Sequence, residues 1–124
     1  MTQILVVEDD PNVRGLLETL LTAEGYDVVT ASDGLAGLGK LAVITPALML
    51  LDLMMPDLGG AQVLERTRAD ARFADLPIVV LTGKLEAVPD LRAWLGAENV
   101  FVKPFEVTEL LTRVAQITGG PKES

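Results

Sequence analysis

The chain has 124 residues, enough for one domain with a continuous core, and its 49% hydrophobic and 23% charged residues are the balance of an ordinary globular protein. Eighteen acidic against ten basic residues give a net charge of −8, which argues against direct binding to nucleic acid or an anionic membrane and suits a divalent cation or a basic protein partner. With no cysteine and no histidine, disulfides, thiolate chemistry, His/Cys zinc sites, Ser-His-Asp triads and imidazole bases are all excluded.

The first apolar run, residues 4–7, reads as a buried strand that ends in three consecutive carboxylates, Glu8, Asp9 and Asp10. Residues 11–24 carry Val13, Leu16, Leu17, Leu20 and Leu21 on one face of a helix, with Pro11 suited to its first turn and Gly25 as its stop. A weaker strand at 27–31 and a helix at 35–43 follow, then a strand at 48–51 behind Pro46. A helix from 61 to 69 or a little beyond, a strand at 78–81 behind Pro77, a helix at 89–95, a strand at 100–102 and a helix at 107–117 complete the pattern. The four clear strands do not alternate with polar residues, which predicts cover on both faces, as in a parallel sheet. Five rounds of strand and helix imply an α/β, doubly wound, three-layer fold, and right-handed crossovers put all strand C-termini on one edge. The tail "TGGPKES" reads as a frayed end or the start of a linker, so a domain over 1–118 and a tail over 119–124 are expected. The N-terminus shows no secretory signal, and the longest apolar run, 47–51, is far short of the ~20 residues of a membrane span. A cytoplasmic location is the expectation.

In open sheets of this kind ligands bind outside the carboxyl ends of the strands. The first strand delivers Glu8, Asp9 and Asp10 there, the third Asp52, the fourth Thr82 and the fifth Lys103. Hard oxygen ligands in this number suit Mg²⁺, while an ammonium and a hydroxyl beside them suit a phosphoryl group. Asp52 next to such a metal can act as a nucleophile and form an aspartyl-phosphate. Taken singly each residue has a bland alternative: carboxylates ahead of Pro11 can be plain helix-cap residues, and a lone Thr or Lys at a strand end is usually surface. Jointly, complementary groups on four strand ends point to a site.

The segments "ILVVEDDP", "LLDLMMPDLGG", "VVLTG" and "VFVKPF", in this order and spacing, resemble the receiver domains of two-component response regulators over essentially the whole chain. The resemblance implies a flavodoxin-like (βα)₅ fold with strand order 2-1-3-4-5. It implies a phosphoacceptor Asp52 that takes its phosphoryl group from a phosphohistidine on a sensor histidine kinase or a histidine phosphotransfer protein. It further implies Mg²⁺ (or Mn²⁺) held by Glu8, Asp9, Asp52 and the backbone carbonyl of Met54, with Thr82 and Lys103 on the phosphoryl oxygens and Asp10 as a helix-start residue. Such a domain is no enzyme beyond its own phosphorylation and dephosphorylation. It switches a surface formed by the fourth helix, fifth strand and fifth helix, which contacts partners, a downstream output domain or protein, or a second copy as a homodimer.

The departures from the family pattern bear on transmission rather than on phosphorylation. Val100 stands where the family usually has an aromatic residue, and Phe101, one step on, would point to the opposite face of its strand. Gly59 replaces a frequent Asp and removes a cap candidate for the third helix. Pro89 predicts a short, late fourth helix, with the loop at 83–88 expected to be mobile. Trp94 in that helix is expected to be ordinary packing. Two rival readings compete. "GLAGLGKL" (residues 34–41) nearly matches a nucleotide-binding phosphate loop, but Leu41 occupies the position of the required hydroxyl; Leu35, Leu38, Leu41 and Ala42 read instead as an apolar helix face with glycines for close packing. A pseudo-receiver, an interaction module without phosphorylation, is disfavoured because every chemical position is filled.

Overall fold

The computed structural model describes residues 2–53, 59–83 and 88–121. Within them lie five strands, β1 (Gln3–Val7), β2 (Asp27–Ala31), β3 (Leu48–Asp52), β4 (Ile78–Thr82) and β5 (Val100–Val102). They alternate with helices α1 (Pro11–Ala23), α2 (Gly34–Leu41), α3 (Gly60–Ala69), α4 (Val88–Leu95) and α5 (Val107–Thr118). All pairings are parallel and the order across the sheet is β2-β1-β3-β4-β5, the expected flavodoxin-like arrangement.

The continuous apolar strands are explained by the two layers they face. Successive strand side chains point to opposite sides. Ile4, Val6, Leu48, Leu50, Val79 and Leu81 therefore pack against Leu17 and Leu21 of α1 and Leu110 and Val114 of α5. Leu5, Val7, Met49, Leu51, Ile78, Val80 and Val100 face Leu41 of α2, Val63 and Leu64 of α3, and Leu91 of α4. β1, β3 and β4, central in the sheet, are almost wholly inaccessible, which fixes where their carboxyl ends emerge.

Local chemistry sets the helix ends. Asp10 caps α1, its carboxylate accepting from Asn12 N–H at 2.8 Å and Val13 N–H at 3.4 Å, so its role as a helix-start residue is observed. Asp33 caps α2 through Ala36 N–H at 2.7 Å. Gly59 caps α3 with no side-chain bond, as its lack of a carboxylate dictates. The helix ending at α5 passes into Gly119, and the expected frayed end is tied down where it is described: Thr2 Oγ1 donates to Gly120 C=O at 3.3 Å, and Pro121 lies over Gly25.

Several expectations need correction. Leu16 on α1 is exposed, as are Leu35 and Ala42 on α2, so these apolar stripes are narrower than their spacing suggested. Leu17 and Leu21 of α1 and Leu41 of α2 bury, with Val13 and Leu38 partly buried against the same cores. Trp94 is not ordinary packing: it is 52% exposed, lining a cleft with Arg68, Leu95 and Arg113. Of the loop at 83–88 expected to be mobile, residues 84–87 lie outside the described residues, as does Met54, and Val88 already begins α4.

The segment that resembled a phosphate loop is helix from Gly34 to Leu41, so its N–H groups beyond the first turn are spent on the helix rather than free to cradle an anion. Gly37 lets that helix approach β1, since a Cβ there would lie 2.9 Å from Val7 Cγ2. Gly60 is tighter: a Cβ would press on Leu53 Cα and sit 2.6 Å from the Asp52 carbonyl oxygen. Backbone cannot yield as a side chain can. Gly60→Ala is expected to destabilise the fold by about 1–3 kcal/mol. Gly39→Ala, with no atom within 4 Å, should instead stabilise by about 0.5–1 kcal/mol. Urea denaturation of both variants checks the pair, and equal effects would refute the packing account of Gly60.

Candidate functional site

Four of the five strands end at one edge with a polar residue held by the sheet itself. Glu8 N–H donates to Ala31 C=O at 3.1 Å, continuing the β1–β2 ladder one step past the strand. Asp52 pairs in register with Leu81, and Leu53 N–H then donates to Leu81 C=O at 3.0 Å. Thr82 closes β4, and its carbonyl accepts from Lys103 N–H at 2.8 Å. Backbone pairing thus delivers Glu8, Asp52, Thr82 and Lys103 to one place with little freedom.

Glu8, Asp52 and Thr82 are buried, and Asp9 is half-buried beside them. Each of Glu8, Asp9 and Asp52 offers a carboxylate oxygen, and these atoms all lie within 4.8 Å of one another. Lys103 reaches in from β5, with Nζ 2.8 Å from Glu8 Oε1 and 3.5 Å from Asp52 Oδ2. Asp10 is exposed and turns away to its cap. The three carboxylates predicted from sequence, with Thr82 and Lys103, are therefore brought together; the Met54 carbonyl lies outside the described residues.

Among the described residues three acids face one ammonium, and Glu8 and Lys103 both depart from their ordinary titration. Burial pushes the Glu8 carboxyl up from its ordinary 4.5 to about 7, reinforced by a hydrogen bond shared with Asp52 and only partly opposed by Lys103. Burial draws the Lys103 ammonium down, but its hydrogen bond to Glu8 and the charges of Asp52 and Glu8 outweigh that, and the net shift is upward. Lys103 stays protonated while Glu8 is the group whose charge is in play near neutrality.

Oxygen-only donors, dense negative charge and a rigid strand-end frame are what a small hard cation requires, and Glu8, Asp9 and Asp52 could hold one. Two residues at the site were missed in the sequence. Gly60 lies too close to the Asp52 backbone to carry a side chain; a Gly-Gly pair was visible, but not which glycine was sterically required. Arg14 binds the main chain of the acidic turn; its position six residues after Glu8 gave no signal by itself.

An open parallel sheet of order 2-1-3-4-5 with acids, a hydroxyl and a lysine at its carboxyl edge defines a class of signalling module, and comparison with known proteins agrees. The response regulator receiver domain family matches residues 4–115, and the chain belongs to that family. It is 38% identical over 115 residues to the DNA-binding dual master transcriptional regulator RpaA of Synechocystis sp., covering 92% of this chain and 48% of that protein. It is likewise 38% identical over 118 residues to response regulator ArlR of Staphylococcus aureus, covering 94% and 52%. The chain thus spans about half the length of these two curated relatives. Among solved structures, response regulator TrrA of Thermotoga maritima, in complex with Mg²⁺-BeF, superposes with a TM-score of 0.83 at 36% identity over 94% of this chain and 99% of that one. A putative response regulator from Chloroflexus aurantiacus gives 0.85 at 32% identity over 95% and 98%.

The Glu8 shift makes stability depend on pH in a definite direction. A carboxyl whose folded value lies above its unfolded one favours the fold fully below about 4.5, and that contribution is lost as pH rises through about 7. In EDTA, the thermal midpoint of the wild type should therefore fall relative to Glu8→Gln between pH 6 and pH 8. Parallel curves for the two proteins would show that Glu8 is not the titrating group.

Proposed function

We propose that this receiver domain is a working phosphoacceptor, with Asp52 as the residue phosphorylated in a divalent-cation-dependent reaction. The observation that carries the proposal is the convergence of three carboxylates within 4.8 Å of one another, with Lys103 Nζ 3.5 Å from Asp52, in a chain of this family. Glu8, Asp9 and Asp52 are the residues that would hold Mg²⁺ (or Mn²⁺), together with the Met54 carbonyl by family resemblance. When bound, the cation supplies positive charge against the oxygens of the transferring group. The TrrA complex with Mg²⁺-BeF supports this assignment by similarity.

Asp52 would attack the phosphorus of a phosphohistidine on a sensor kinase or phosphotransfer protein. An O–P bond forms as the donor N–P bond breaks, and the imidazole leaves with the electron pair and is protonated by solvent. This chain has no histidine, so the donor must come from elsewhere. Lys103 shifts from its carboxylate partners to the incoming oxygens, and the Thr82 hydroxyl donates to another. The Asp52 carboxylate begins buried, so little water has to be expelled as the phosphoryl group arrives.

The output is a change in surface, biased by the new charge. The face of α4, β5 and α5 bears a groove of about 690 Å³ lined in part by Arg92, Phe101, Phe105 and Arg113, and would receive a partner, an output domain or a second copy. Residues 1–118 would form the receiver and 119–124 the beginning of a tail or linker.

Incubation with acetyl phosphate and Mg²⁺, followed by intact-mass spectrometry, tests the proposal. A phosphoryl adduct is expected on the wild type and not on Asp52→Asn. No adduct on the wild type would favour the rival reading of a phosphorylation-free interaction module. Mg²⁺ should also raise the thermal midpoint of the wild type, and Asp9→Asn should abolish most of that gain.

A further inference from the structure

Arg14 sits on the first turns of α1, half-buried, and none of the chemistry above uses it. Its Nη1 donates to the main-chain carbonyl of Glu8 at 2.9 Å and to that of Asp9 at 3.3 Å. One cationic group thus gathers two consecutive carbonyls from the turn that carries two of the three clustered acids. A carbonyl fixed in direction fixes its peptide plane, and with it the Cα–Cβ vectors on either side. On the far side the same turn is held by Asp10, whose carboxylate accepts from Asn12 and Val13, while Asp10 N–H reaches Glu8 Oε2 at 3.4 Å. The turn is clamped from both ends, and the side chains of Glu8 and Asp9 are left to face Asp52.

We propose that Arg14 is a positioning residue for the cation site: its guanidinium locks the turn at residues 8–10 so that Glu8 and Asp9 cannot splay apart to relieve their repulsion. The proposal rests on the reading that the acidic cluster binds a divalent cation. Its consequence is opposite in sign to simple electrostatics. A guanidinium near three carboxylates repels an incoming cation, so its removal on charge grounds alone would tighten binding. If Arg14 acts by holding the ligands in place, removal must weaken binding despite the lost repulsion.

The thermal midpoint measured as a function of Mg²⁺ concentration reports affinity, because a ligand that binds only the native state stabilises it by mass action. Arg14→Met, which keeps an apolar stem and loses the donors, is expected to weaken Mg²⁺ binding about tenfold, the scale seen when groups that orient metal ligands are removed. Arg14→Lys, with one compact ammonium in place of a planar fork, should show a smaller loss in the same direction. Saturating Mg²⁺ should restore acetyl phosphate labelling of Arg14→Met towards wild type, as a weakened but intact cation site requires. Unchanged or tighter Mg²⁺ binding in Arg14→Met overturns the role of Arg14, whatever happens to the midpoint in EDTA. Should that variant fail to fold, unchanged or tighter binding in Arg14→Lys overturns it equally. A wild type whose midpoint ignores Mg²⁺ overturns the cation-site reading itself, and the proposal with it.

Discussion

Glu8 and Asp52, two carboxylates shut off from solvent, share one end of the sheet with Asp9 and the ammonium of Lys103. Unit charges 4 Å apart repel by about 4 kcal/mol at an effective dielectric of ~20, so such a cluster persists only where the surrounding structure leaves the acids nowhere else to go. The sheet does this. Glu8 and Asp52 continue strands whose side chains are buried on both faces, and each is fixed by ladder hydrogen bonds to a neighbour. Burial raises the Glu8 carboxyl to about 7, and Lys103 reaches across from β5 to pair with Glu8. A lysine is suited to this place because its charge rides on a flexible stem and can change partners, whereas a strand-borne carboxylate cannot move.

The same rigidity explains why glycine and arginine appear where they do around the acids. Gly60 admits the start of α3 against the backbone of Asp52 and Leu53, and Gly37 admits α2 against Val7 just below Glu8. Helices pressed this closely on the strand ends leave the carboxylates one open direction, outward at the carboxyl edge. Arg14 holds the β1–α1 turn through its main-chain carbonyls and Asp10 caps the helix that follows, while carboxylate oxygens of Glu8 and Asp9 lie near Asp52.

At β5 the departure from family pattern has a structural meaning. Val100 pairs with Val80 and faces the α2, α3 and α4 side, while Phe101 faces α1 and α5. Thr82 pairs with Val102. The β5 residues on the face that Val80 and Thr82 share, Val100 and Val102, are thus aliphatic and β-branched, with stiff χ1 preferences. The exposed Trp94 lies on α4.

Much of the fold was legible in the sequence because its signals are local and redundant. Apolar runs of three or four residues marked every clear strand to within a residue, and Pro11 and Gly25 marked the ends of α1. The candidate site was legible for a related reason: in a parallel sheet every strand end falls on one edge, so the residue after each apolar run is known before its neighbours are. Helix faces were read less well. Spacing placed Leu16 with Leu17 and Leu35 with Leu38, but how wide a stripe buries depends on the curvature of the sheet beneath, which no local pattern encodes. The sequence by itself determined the order of elements and the edge at which the acids gather, because these follow from periodicity and topology. Only the tertiary structure decided that Glu8 rather than Asp9 is fully buried, that Lys103 bridges Glu8 and Asp52, that Gly60 has no room for a side chain and that Arg14 grips the acidic turn. Those depend on how strand ends, turns and helices pack in three dimensions, which no local pattern encodes.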